Sequence, residues 1–188
     1  MLSLRPINQT GINGVEDPSE PTPIKAKRVK SAGKVMGLFF WDTEGIIHLE
    51  FLPSGQTVTG AFYATVLVRL HQALLNNRKG KLHKPILLLQ DNALAHRPHI
   101  AMDAATQNRF QILPHPPYSP DLAPSDYHLF RHLKKALRGR RFSTNQEVMD
   151  AVREWCDSQS AVFYLTGIRA PKDRLQKCID IEGDYVEK

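Results

Sequence analysis

The stretch from Pro85 to Phe130 constrains the fold more than any other part of this 188-residue chain. Pro85 is followed by Ile86, Leu87, Leu88 and Leu89, an apolar run that predicts a strand buried on both faces. The run stops at Asp91-Asn92. A carboxylate at the carboxyl end of such a strand lies where open α/β sheets usually put their chemistry; an Asp there can equally cap the helix that follows. A second acid, Asp126, comes after the proline-punctuated segment His115-Pro-Pro-Tyr-Ser-Pro-Asp-Leu-Ala-Pro and opens a helical pattern, Tyr127-His128-Leu129-Phe130. Ser125 is suited to be its N-cap, which puts Asp126 in the first turn. The 34 residues between Asp91 and Asp126 leave room for one helix, one short strand and a rigid loop.

Residues 1–24 are polar, rich in Pro, Gly, Asn and Thr, and show no hydrophobic period, so a disordered leader is predicted. Residues 25–34 form a basic linker. Its Lys25, Lys27, Arg28 and Lys30 suit a nuclear-import signal, a phosphate contact or a solvated tether. The remaining residues, 35–188, read as one domain. Val35 to Trp41 predicts a strand ending at Asp42, Ile46 to Leu52 a second, and Gln56 to Thr59 a short third. Phe62, Val66, Leu67, Leu70 and Leu74 recur at helical spacing within a helix from Ala61 to Asn76. Pro85 to Gln90 is the fourth strand, His96 to Arg109 a helix, and Phe110 to Leu113 the fifth strand. Helices are predicted over Leu129 to Leu137 and Asn145 to Ser158, and a last one from Pro171, a residue suited to a first helical turn. This order is that of a ribonuclease-H-like α/β fold, a mixed five-stranded sheet flanked by helices, with the ends of the first and fourth strands side by side.

Charge points to a polyanionic partner. The formal net charge is +6 and the pI about 9.4. No Asp or Glu occurs between Glu50 and Asp91, whereas Arg69, Arg78, Lys79, Lys81 and Lys84 all do. A second cluster, Arg131, Lys134, Lys135, Arg138, Arg140 and Arg141, directly follows Asp126. One basic cluster is ordinarily a solvated helix face; two beside a pair of carboxylates favour a nucleic-acid groove. The two cysteines, Cys156 and Cys178, stand in no ligand-like spacing and suit a reducing compartment. No apolar stretch is long enough to span a bilayer, and no membrane partner is expected.

Taken together, Asp91-Asn92-Ala93 and the run from His115 to His128 resemble the catalytic core of mariner-type transposases of the Tc1/mariner superfamily, over roughly residues 25–188. The resemblance implies a triad of metal-binding catalytic aspartates, Asp42, Asp91 and Asp126. It implies two Mg²⁺ or Mn²⁺ ions with substrate, hard cations that prefer carboxylate oxygens. Two such ions about 4 Å apart activate a water or a 3′-hydroxyl and stabilise the leaving oxygen. Asn92 and His96 match the family's Asp-Asn-Ala-x-x-His pattern and would order the second ligand or a substrate phosphate; His128 would support the active-site loop. His96 and His99 have the spacing of helical metal ligands but lack further ligands for zinc. The implied partners are DNA, as transposon ends and target, and a second copy of the chain, contacted through the segment from Trp41 to Thr59. The implied location is the nucleus.

Departures from the family accompany the likeness. Full mariner transposases carry two helix-turn-helix modules ahead of this core, and the short leader here does not resemble them. Arg174-Leu175 stands where the family usually has Arg-Trp, leaving space for a larger side chain, and Ala170-Pro171 where it commonly has Lys-Leu. A truncated or decaying transposase copy is therefore expected. The alternative is a non-catalytic DNA-binding or assembly module derived from one. A ribonuclease H acting on RNA fits the fold but not the Tyr-Ser-Pro-Asp loop.

Overall fold

The computed structural model describes residues 2–7, 34–78 and 84–186. Five strands and six α-helices follow in the order β1 Leu2–Ile7, β2 Val35–Asp42, β3 Gly45–Phe51, α1 Gly60–Asn77, β4 Ile86–Leu89, α2 His99–Gln107, β5 Phe110–Leu113, α3 Arg131–Leu137, α4 Asn145–Ser158, α5 Ala161–Arg169 and α6 Pro171–Asp180. A single π-helical turn, Ser125–Phe130, leads directly into α3.

β2 is the centre of the molecule. Its side chains alternate between two helical layers. Leu38 and Phe40 join Tyr63, Val66, Leu67 and Leu70 of α1 on one face. Val35, Phe39 and Trp41 join Leu129, Phe130, Leu133, Val152 and Tyr164 on the other. Phe39 and Trp41 are fully buried. The second layer needs close approach at Gly167 of α5, where a Cβ would fall 2.4 Å from the His128 ring and 2.8 Å from Trp41. α1 starts as its sequence dictates, with the Thr59 hydroxyl accepting from the Phe62 N–H at 3.2 Å.

The sheet departs from the sequence expectation. It is not one five-stranded sheet but two, an antiparallel β1-β2-β3 sheet and a parallel β4-β5 pair. β2 gives one hydrogen-bonding edge to β3 and the other to β1, so β4 does not lie beside β2 as the sequence reading expected. β1 falls in the predicted disordered leader; its partner is the apolar β2, with Leu2 opposite Phe40 and Ile7 opposite Val35. Gln56 to Thr59 forms no strand and serves instead as the lead-in to α1. β4 is not buried on both faces: with only β5 as neighbour, Leu88 is buried but Leu87 is 59 % exposed. α5 was not expected and completes the second layer. Leu175 lies on α6, which buries no residue, and is 45 % exposed, so no unfilled core space exists there. The basic linker lies outside the described residues, as do Lys79 and Lys81. Among the described residues, no helix is long and apolar enough to cross a membrane.

Candidate active site

Asp91 sits two residues beyond the end of β4. β4 and β5 are parallel and in register, with Leu89 beside Leu113, so Asp91 and His115 emerge side by side at the carboxyl ends of the two strands. The Asn92 side-chain amide donates to the His115 carbonyl at 2.9 Å and ties the two exits together. The Asp91 carboxylate is about one-third exposed. Its Oδ1 accepts from the Ala93 N–H at 3.1 Å and lies 3.0 Å from His96 Nδ1. Burial works to raise the Asp91 carboxyl, but bonds from His96 and Ala93, together with the charges of His96 and His115, outweigh it and hold the group below its ordinary value. His96 is itself buried, its ring tilted against Tyr63 with centroids 4.3 Å apart, and its Nε2 has no hydrogen-bond partner among the described residues. The Tyr63 hydroxyl donates to Gln90 Oε1 at 2.7 Å. An ionised, half-solvated carboxylate with one oxygen pinned from behind is a sound ligand for a hard divalent cation.

The loop leaving β5 carries the chain to Asp126 in the first turn of the π-helical segment. Ser125 is not the N-cap. Pro124 holds that position with no capping side chain, and the buried Ser125 hydroxyl instead accepts from Trp41 Nε1 at 3.0 Å. Tyr127 donates from its hydroxyl to the Gly167 carbonyl at 2.8 Å. His128 lies between this turn and α5, with Nε2 2.9 Å from the Phe163 carbonyl and its ring stacked near Trp41. Burial pushes the His128 imidazole down. His128 therefore packs the second layer rather than joining Asp91.

Asp42 is placed elsewhere. Its two oxygens take a bidentate contact from Arg78, Nε at 2.9 Å and Nη2 at 3.1 Å, and Oδ1 also accepts from the Glu44 N–H. Arg78 is the C-cap of α1, whereas His96 and Gln90 contact Tyr63 in its first turn. Fifteen residues of helix separate these contacts, about 22 Å along the axis at 1.5 Å per residue. Asp42 also follows Trp41, and its side chain turns to the α1 face while Trp41 reaches Ser125 on the other. The strand-end signal that singled out Asp42 could not reveal that its strand runs antiparallel to its neighbours on both edges. Among the described residues, no three His, Cys, Asp or Glu side chains are grouped to hold a metal ion. β1, the strand that takes β2's second edge, contains no acid in its sequence.

The basic residues divide likewise. Arg69 pairs with Glu50, and Arg78 with Asp42 and Glu44, so two cations of the acid-free interval are paired with acids of β2, β3 and the turn between them. Arg131, Lys134, Lys135, Arg138, Arg140 and Arg141 are all exposed along α3 and the turn after it, one turn beyond Asp126.

Helices on both faces of a β2-centred sheet, with a carboxylate at the end of a parallel strand and another at a helix start, define a ribonuclease-H-like domain. The family described as Transposase (partial DDE domain) matches residues 15–84. Human histone-lysine N-methyltransferase SETMAR is 42 % identical over 163 residues, 82 % of this chain and 23 % of SETMAR. The mariner Mos1 transposase of Drosophila mauritiana is 36 % identical over 173 residues, 91 % of this chain and 50 % of that protein. The crystal structure of the Mos1 catalytic domain superposes with a TM-score of 0.80 at 32 % identity, covering 98 % of this chain and 82 % of that one. The chain belongs to the mariner-type transposases. It spans half of Mos1 transposase and less than a quarter of SETMAR.

Proposed function

We propose that this chain is a transposase catalytic domain that binds DNA through its phosphates and handles phosphodiester bonds with a divalent cation. The observation that carries this reading is the likeness to the Mos1 catalytic domain over 98 % of the chain. Solved Mos1 structures include the catalytic domain with Mn or Mg and a paired-end complex with a transposon end. Asp91 and Asp126 would hold the cation. When bound, such an ion polarises a phosphoryl oxygen and activates a water or 3′-hydroxyl. The chain's own contribution is to fix Asp91 through His96, Ala93 and Asn92, and to present the α3 ridge to the DNA backbone. With Asp42 committed to Arg78, the two carboxylates suit one ion rather than two. A second reading with the same arrangement is a DNA-binding or assembly module with little cleavage of its own. A DNA substrate would suit a nuclear location, and a paired-end assembly would bring in a second copy.

The test is binding of inverted-repeat and scrambled duplexes across a salt series, with Mn²⁺-dependent nicking followed in parallel. Contacts to phosphates alone predict a steep salt dependence and little sequence preference. A preference of order 10³ for the repeat, the low end of specific binding, would contradict this. Nicking that needs Asp91 and Asp126 would select the catalytic reading; metal binding without nicking would select the module.

A further inference from the structure

Asp121 is a buried acid that the proposed chemistry does not use, and its partners come from the far end of the chain. Its Oδ2 accepts from the Val186 N–H at 2.9 Å, and its carbonyl accepts from Arg174 Nε at 2.6 Å. Lys177 Nζ donates to the Val186 carbonyl at 2.9 Å, and the Tyr185 hydroxyl to that of Tyr118 at 3.1 Å. The Arg174 guanidinium also lies over the Tyr127 ring, 4.1 Å from its centroid. One side chain of α6 thus holds the residue five before Asp126 and the residue just after it.

The loop needs such a hold. Pro114, Pro116, Pro117, Pro120 and Pro124 lack N–H groups. The backbone N–H groups of Leu122 and Ala123 donate to Ser119 and Pro120, within the loop itself. A turn alone requires no buried carboxylate, and burying one is costly unless it is hydrogen-bonded. We propose that α6 and the tail through Val186 form a clamp that positions Asp126 through Asp121 and Tyr127. Asp121 and Arg174 are then positioning residues. The proposal rests on the reading of Asp126 as a metal-site carboxylate.

Hydrogen exchange of residues 118–128 and calorimetric Mn²⁺ titration of the full chain test it. Val186→Pro removes the one N–H, Asp121→Ala removes its acceptor, and Asp121→Asn keeps an acceptor oxygen. The first two should speed exchange in 118–128 about tenfold, the factor for one ordinary hydrogen bond, with α1 and α4 unchanged. They should also weaken Mn²⁺ binding by about 10–100-fold, as loss of ligand-orienting partners does. Asp121→Asn should restore most of both. Unchanged exchange in both variants overturns the clamp, and faster exchange with unchanged Mn²⁺ affinity reduces it to a stability contact and overturns the positioning role. If either variant fails to fold, Lys177→Met, which touches only the Val186 carbonyl, takes its place. A wild-type chain that binds no Mn²⁺ sinks the metal-site reading, and the clamp then stands or falls on exchange alone.

Discussion

Asp42 and Asp91 look alike in the sequence, each an aspartate closing an apolar strand, and their partners tell them apart. Arg78 neutralises Asp42 at the C-terminal end of α1, while Asp91 faces solvent with His96 behind it. Asp91 and Asp126 stand out in the sequence because a strand end and a proline-bounded helix start are local features. The sequence could not reveal Arg78, 36 residues on, as the partner of Asp42, because that pairing depends on which way β2 runs past α1. The depressed Asp91 carboxyl carries a pH consequence. A carboxylate held below its ordinary value, near 3.8, contributes stability above that value and loses it as the pH falls through the folded-state value. Asp91→Asn should therefore lose less unfolding stability than wild type between neutral pH and the acid side of 3.8. Chemical denaturation across that range checks this, and parallel losses in the two proteins would show that Asp91 carries no such coupling.

At the level of elements, hydrophobic period and caps identified β2, β3, α1, β4, α2, β5, α3, α4 and the start of α6. They missed β1, whose six residues pair with the edge of β2, and α5. α5 shows how the second layer is fitted. Gly167 admits the His128 and Trp41 rings where any Cβ would collide. Gly167→Ala should lower the melting temperature by an amount equivalent to about 1–3 kcal/mol, the usual cost of overpacking, despite the better helix propensity of Ala. A melting temperature at or above wild type would mean that α5 docks more loosely than described.

For the whole molecule, composition foretold a basic domain and the order of elements an α/β one, and the α/β class is observed. Division of the strands into two sheets was not legible, because edge occupancy is decided by segments far apart in the chain. Nor was the fate of two of the cations: Arg69 and Arg78 pair with Glu50 and Asp42, whereas the α3 ridge is an exposed basic surface next to Asp126. The account therefore makes the carboxyl ends of β4 and β5, with the turn at Asp126, the metal-binding end of the domain. Calorimetric Mn²⁺ titration of wild type, Asp42→Asn, Asp91→Asn and Asp126→Asn tests this most directly. The account predicts about one ion bound by wild type, retained affinity in Asp42→Asn, and loss of at least tenfold in Asp91→Asn and Asp126→Asn. Loss of binding in Asp42→Asn with affinity intact in the other two would contradict it.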